Sequence, residues 1–215
     1  MSHRAYVAGL FTQLWRELGG SLQGKVRDGE VPQGARLLSL TRSDALSEVI
    51  RDINKYSNNV MARQVFLTIG ALSEGAPGTL TKARNAIHRW LTQKGAATPE
   101  LVLDNGSGLS RDGRISARSM GELLVSAFRS AVMPEFTASL PLVATDGTMR
   151  KRLSDTDIAG RAHIKTGTLN GVRSIAGYVL DSKGRTIVVV FMVNHANAAN
   201  AQAAQDALLR WIYYR

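Results

Sequence analysis

Apolar residues recur at helical spacing through most of the chain and switch to strand spacing in its last quarter. From Met1 to Leu18, Ala5, Val7, Leu10, Phe11, Leu14, Trp15 and Leu18 form one stripe. A second stripe, Leu46, Val49, Ile50 and Ile53, predicts a helix over Asp44–Tyr56 with Ser43 as its N-cap. After a polar break at Ser57-Asn58-Asn59, the residues Val60, Met61, Val65, Phe66, Ile69 and Leu72 predict another helix ending near Gly75. Thr81–Gln93, with Gly95 just past its end, and Ser116–Val132 read as two more. Between them Val102-Leu103 suits a short strand, followed by turn chemistry at Asp104-Asn105-Gly106-Ser107-Gly108. Met133–Gly160 shows no single period and carries Pro134, Pro141 and Gly147 as breakers.

The strands His163–Leu169, Arg173–Leu180 and Thr186–Val193 follow. The second and third are joined by the hairpin turn Asp181-Ser182-Lys183-Gly184, and a last helix runs over Ala199–Tyr213. Helices, then an antiparallel meander, then a helix give an α/β (α+β) layering in which an antiparallel sheet is flanked by helices. Thr186–Val193 is apolar at nearly every position, so cover is expected on both faces of that strand.

The chain has 215 residues, 44% hydrophobic and 20% charged, enough for one large globular domain. It has no cysteine, which excludes disulfide frameworks, thiolate nucleophiles and thiolate metal sites. The net charge of +10 favours anionic partners but is scattered, with Arg150-Lys151-Arg152 the one tight run. No apolar run is long enough to span a bilayer. Gln13 and Arg16 interrupt the first stripe and no small-residue cleavage site follows it, so it does not read as a secretory signal. His3, His88, His163 and His195 lack metal-ligand spacing. No Gly-x-Ser-x-Gly elbow, dinucleotide loop or phosphate loop occurs. No metal or cofactor is therefore expected.

Two polar strings remain, Ser57-Asn58-Asn59 at a helix break and Lys165-Thr166-Gly167-Thr168 on a strand. Taken singly, Ser57 suits an N-cap and Lys165 a solvated strand lysine. Together they fit acyl transfer without a histidine base. Such a site needs a lysine kept near neutral by cationic neighbours and a second hydroxyl that relays a proton to the leaving amine. A glycine in the strand lets a substrate backbone lie along its edge, and an asparagine amide can grip a substrate carbonyl.

On these residues the chain resembles the D-alanyl-D-alanine carboxypeptidase/endopeptidases of the class C low-molecular-mass penicillin-binding proteins. Ile53-Asn54-Lys55-Tyr56-Ser57-Asn58-Asn59-Val60-Met61-Ala62 is similar to the family's second motif, with Asn58 where Asp is usual. Asp104-Asn105-Gly106-Ser107-Gly108-Leu109-Ser110-Arg111 resembles its Asp-Gly-Ser-Gly-Leu-Ser segment, with Asn105 extra or shifted. Leu140-Pro141-Leu142 and Asp146-Gly147-Thr148-Met149 resemble its Leu-Pro and Asp-Gly-Thr stretch. His163-Ile164-Lys165-Thr166-Gly167-Thr168-Leu169-Asn170-Gly171-Val172 matches the third motif, and Gly177-Tyr178 follows at the family's distance.

The resemblance implies a penicillin-binding protein/β-lactamase-like transpeptidase fold. It implies Ser57 as proton relay, Asn59 as substrate-amide ligand and Lys165 as the cation that tunes the site and steers the substrate carboxylate. Thr166, Gly167 and Thr168 would bind the terminal carboxylate or offer a backbone N–H to the oxyanion. Ser107 would contact substrate or form a tight turn beneath the site. Peptidoglycan stem peptides and β-lactams are the implied partners and the periplasm the implied location.

One family feature is absent: no serine in the chain is followed three residues later by lysine. Residues 1–215 are therefore expected to form the C-terminal portion of one penicillin-binding domain, with a fold incomplete at the N-terminus. The Ser-x-x-Lys nucleophile and the export signal would lie on a missing N-terminal part of the same parent chain, and an apolar surface would be exposed where that part packs. A non-catalytic domain that holds wall peptides or β-lactams is the alternative. The +10 charge suits anionic stems and an anionic membrane surface, whereas a nucleic-acid role would rest on charge alone.

Overall fold

The computed structural model describes residues 2–96 and 98–215 and divides the chain into two compact units, Met1–Ser43 and Asp44–Arg215. In the first unit, α1 (His3–Glu17) is capped by Ser2, whose hydroxyl accepts the Ala5 N–H at 3.2 Å. Met1, where the sequence reading begins this helix, lies outside the described residues. Beyond Leu18 the unit has no helix or strand. Arg4 pairs with Asp28 at 2.6 Å, and the Trp15 indole N–H reaches the Ser21 carbonyl. The apolar stripe is real but stays substantially exposed along Tyr6, Leu10, Phe11, Leu14 and Trp15.

The second unit contains α2 (Leu46–Tyr56), α3 (Asn59–Glu74), α4 (Leu80–Gln93), α5 (Ala117–Phe128) and α6 (Met133–Ser139). These precede strands β1 (Ala162–Leu169), β2 (Val172–Leu180) and β3 (Thr186–Asn194), and α7 (Gln202–Tyr214) closes the chain. The strands form one antiparallel sheet in the order β1-β2-β3, with Lys165 opposite Ala176 and Thr168 opposite Arg173.

The two faces of the sheet are packed differently. Ile164, Ile175, Val179 and Val189 join Leu209 and Ile212 of α7 and Val143, Met149 and Ile158 of the 143–158 segment in an apolar core. On the opposite face Tyr178 meets Leu124 of α5 and Leu140, with Val188 and Val190 only partly buried. Burial and a hydrogen bond to the Leu124 carbonyl accompany a Tyr178 phenol pushed up to about 12, burial being the cause. Both faces of β3 are thus partly covered, yet only Val189 is fully buried there. Among the described residues no strand pairs with its outer edge.

Three local expectations change. Ser43 does not cap α2, which starts at Leu46 without a side-chain cap and with Glu48 in its first turn, where a carboxylate suits the helix dipole. Pro134 opens a helix instead of breaking one, because at its first turn the missing N–H has no intrahelical partner to lose. The helix expected to reach Val132 ends at Phe128.

Candidate active site

The break between α2 and α3 builds one wall of a cleft. Ser57 closes α2 in the left-handed region (φ 55°, ψ 48°), and both its N–H and that of Asn58 return to the Ile53 carbonyl. Such a conformation costs a non-glycine residue about 1–3 kcal/mol and persists only where its surroundings enforce it. Asn58, not Ser57, caps α3: its side-chain oxygen accepts the Met61 N–H at 3.1 Å. The Ser57 hydroxyl is consequently not used to cap α3 and turns elsewhere.

It turns to Lys165. The ammonium donates to Ser57 Oγ at 3.1 Å and to the Thr166 carbonyl at 2.8 Å. Burial pushes the Lys165 pKa below the ordinary lysine value. This corrects the expectation of cationic neighbours, since desolvation alone disfavours the charged form here.

β1 forms the facing wall. The outer edge of its first half is closed by the 141–143 segment, where Ile164 N–H donates to the Pro141 carbonyl at 2.7 Å and Val143 N–H to the Ala162 carbonyl at 2.9 Å. By antiparallel alternation the backbone groups of Thr166 and Thr168 face the same outer edge, which is open beyond that segment. The Thr166 hydroxyl bonds Thr148 Oγ1 at 2.9 Å, and Thr168 Oγ1 accepts from Arg173 at 2.8 Å. At Gly167 a Cβ would lie 2.3 Å from Ser174 Oγ, so a side chain there would crowd the sheet.

The floor is the 104–109 turn. Asn59 Nδ2 donates to the Ser107 carbonyl at 2.6 Å, leaving its own oxygen as the side chain's acceptor. The Ser107 N–H and hydroxyl both donate to Asn105 Oδ1, at 2.9 and 2.6 Å, so Ser107 shapes the turn. Gly106 has φ 71°, and a Cβ on it would come within 2.4 Å of Phe66.

All seven residues singled out from sequence, Ser57, Asn59, Ser107, Lys165, Thr166, Gly167 and Thr168, line one open cleft of roughly 500 Å³. The lining also includes Thr148 and Leu109, which lie within the Asp146–Met149 and Asp104–Arg111 motifs but carry no role implied by the resemblance. Just behind the Ser57 wall, Lys55 is buried and pairs with Asp146 at 2.7 Å, a contact with no signal in local sequence.

The model of the D-Ala-D-Ala carboxypeptidase 3 (S13) family matches residues 2–213. The chain belongs to that family. It is 33% identical over 207 residues to a D-alanyl-D-alanine carboxypeptidase of an Actinomadura species, covering 93% of this chain and 38% of the relative. It is 26% identical over 192 residues to D-alanyl-D-alanine carboxypeptidase DacB of Haemophilus influenzae, covering 88% and 40%. The fold matches penicillin binding protein 4 of Haemophilus influenzae complexed with a β-lactam, with TM-score 0.87 at 23% identity, over 100% of this chain and 52% of that one. The chain thus spans about two fifths of the length of these curated relatives. The expected α/β penicillin-binding fold, an antiparallel sheet flanked by helices, is the one observed.

Proposed function

We propose that this S13-family chain supplies the proton-relay and substrate-binding part of a serine-type D-alanyl-D-alanine carboxypeptidase/endopeptidase site acting on peptidoglycan stem peptides. The single observation that carries this reading is the contact of Lys165 Nζ with Ser57 Oγ across two walls of one cleft. In this reading a D-Ala-D-Ala end lies antiparallel to the open edge of β1. Its terminal carboxylate meets Lys165 and the Thr166 and Thr168 hydroxyls. Thr168 N–H points where a scissile carbonyl would develop negative charge, and preorganised donors at such a point are among the largest catalytic terms. Asn59 grips the substrate amide through its free oxygen. A hydroxyl bonded to a partly desolvated ammonium is suited to relay a proton to the departing D-alanine nitrogen, and Ser57 holds that place.

Acyl-enzyme formation also requires a serine nucleophile, and none of the serines here has lysine three residues on. We assign residues 1–215 to the C-terminal portion of one penicillin-binding domain, with the acylating serine supplied by the rest of that domain. The working location is extracytoplasmic, the periplasm where the envelope has one. Among the described residues no helix is long and apolar enough to cross a membrane. The +10 charge raises the local concentration of anionic stems and favours anionic membrane surfaces.

Fluorescent penicillin tests the assignment. The 215-residue chain should bind it reversibly, lose it on denaturation and release it to D-Ala-D-Ala but not to L-Ala-L-Ala. Denaturation-resistant labelling would refute the absence of an acylatable serine. No binding at all would refute the cleft as the substrate site.

A further inference from the structure

We infer that the Lys55–Asp146 ion pair is a positioning strut that holds Ser57 Oγ against Lys165 Nζ. Lys55 lies in the last turn of α2, two residues before Ser57. Its ammonium donates to both Asp146 oxygens, at 2.9 and 2.7 Å, and to the Leu140 carbonyl at 2.7 Å. One helical residue earlier, Asn54 Nδ2 donates to Ser139 Oγ at 2.8 Å. The end of α2 is therefore fastened at two successive residues to the segment that runs from α6 to Thr148.

That same segment is fastened to β1. Asp146 Oδ1 accepts the Leu142 N–H at 2.8 Å, which folds the loop back on itself. Pro141 and Val143 bond the first half of β1, and Thr148, two residues beyond Asp146, bonds Thr166. Between these contacts Gly147 (φ 54°) lets the loop lie against α2, since a Cβ there would come within 2.6 Å of the Lys55 carbonyl oxygen. A closed mechanical circuit results, running Ser57, Lys55, Asp146, Thr148, Thr166, Lys165 and back to Ser57. Within it the left-handed turn at Ser57 is strained, so the strut supplies what the local backbone does not.

One further titratable group bears on the pair itself. His163, on β1, faces Lys55 and Asp146, and its pKa is lowered by burial first and by the Lys55 cation second. Its Nδ1 and the Thr137 hydroxyl are buried without partners among the described residues. Lys55 thus meets a neutral imidazole rather than a second cation, and among the described residues its carboxylate partner is Asp146.

The inference rests on the reading of Ser57 and Lys165 as one site, and its test reads their contact without needing turnover. The full 215-residue chain carrying ¹³Cε-lysine is titrated by NMR, with the Lys165 signal assigned by its loss in Lys165→Arg. Asp146→Asn keeps an oxygen for the Leu142 N–H but removes the charge. The expected result is a Lys165 midpoint raised by about half a pH unit or more, as water reaches an ammonium no longer clasped by the Ser57 turn. Amide shifts of the β2–β3 hairpin should stay as in the parent. Lys55→Met should raise the midpoint likewise, and Lys55→Arg, which keeps a cation, should restore most of the parental value.

A folded Asp146→Asn chain whose Lys165 titrates as the parent does would overturn the inference. If Asp146→Asn does not fold, the comparison of Lys55→Met with Lys55→Arg decides, and equal midpoints overturn it. Collapse of all three variants overturns it too, by making the pair a general folding element. Failure of the parent chain to bind a D-Ala-D-Ala probe would instead refute the site reading, whatever Lys165 does.

Discussion

The two walls of the cleft are built by opposite means. β1 is a regular strand, paired through its length with β2 and backed by Ile164 and Ile175, each fully buried against α7 and the 143–158 segment. The facing wall is a break between helices, with a left-handed serine, an asparagine cap and a handful of polar bonds. Packing fixes the first wall through many weak contacts, each small and all redundant. The second depends on a few directional bonds, so single substitutions there should move chemistry without unfolding the chain. A lysine on the stiff wall and a serine on the tunable one is an arrangement in which one hydrogen bond sets the geometry of the site.

That contrast can be broken most forcefully at β1. Ile175→Ala removes a fully buried side chain from the apolar core and should lower stability by about 2–5 kcal/mol in chemical denaturation. A loss well under 1 kcal/mol would mean the strand wall is not held by packing. On the other wall Asn58→Ala should cost about 1 kcal/mol, from the lost cap, with the melting still cooperative. Asn58→Asp should keep the cap and add a small favourable term with the α3 dipole.

Ser57→Gly sharpens the comparison further, because it relieves the left-handed strain while deleting the hydroxyl. Stability should rise by about 0.5–1 kcal/mol while affinity for D-Ala-D-Ala falls. A loss of stability instead would show that the turn is not strained.

The smallest effect concerns another polar tie. The Glu100 carboxylate accepts from the hydroxyls of Ser116, at 2.6 Å, and of Ser119, and these bonds hold its pKa at about 2, below the usual 4.5. A depressed carboxylate stabilises the fold above the unfolded value, and that contribution is lost as pH falls from about 4.5 towards 2. Glu100→Gln should flatten the stability profile across that window. An unchanged acid limb would remove Glu100 as its source.

Much of this was legible in the chain. The second and third strands stand out as largely apolar runs joined by a hairpin turn, and all three strands appear within a residue of their expected ends. The seven nominated residues converge because spacing and turn chemistry place Ser57 at a helix break and Lys165 on a strand. What was hidden depends on tertiary context. Lys55 and Asp146 are 91 residues apart, so nothing local marks them as partners. Whether Ser57 or Asn58 caps α3 turns on a left-handed dihedral that residue identity does not dictate. Pro134 reads as a breaker until the helix start is known. The lowered Lys165 pKa is hidden in the same way, since desolvation is a property of the assembled cleft.

We propose that Ser57, Asn59 and Lys165 form one receptor for a D,D-dipeptide end. Calorimetric titration of the chain with N-acetylated D-Ala-D-Ala and with its L,L isomer tests this most directly, repeated on Ser57→Ala and Lys165→Met. Binding of the D,D form only is expected, weakened by about tenfold or more in either variant, roughly the value of one hydrogen bond to a charged group. Equal binding of both isomers, or full affinity retained in Lys165→Met, would contradict it.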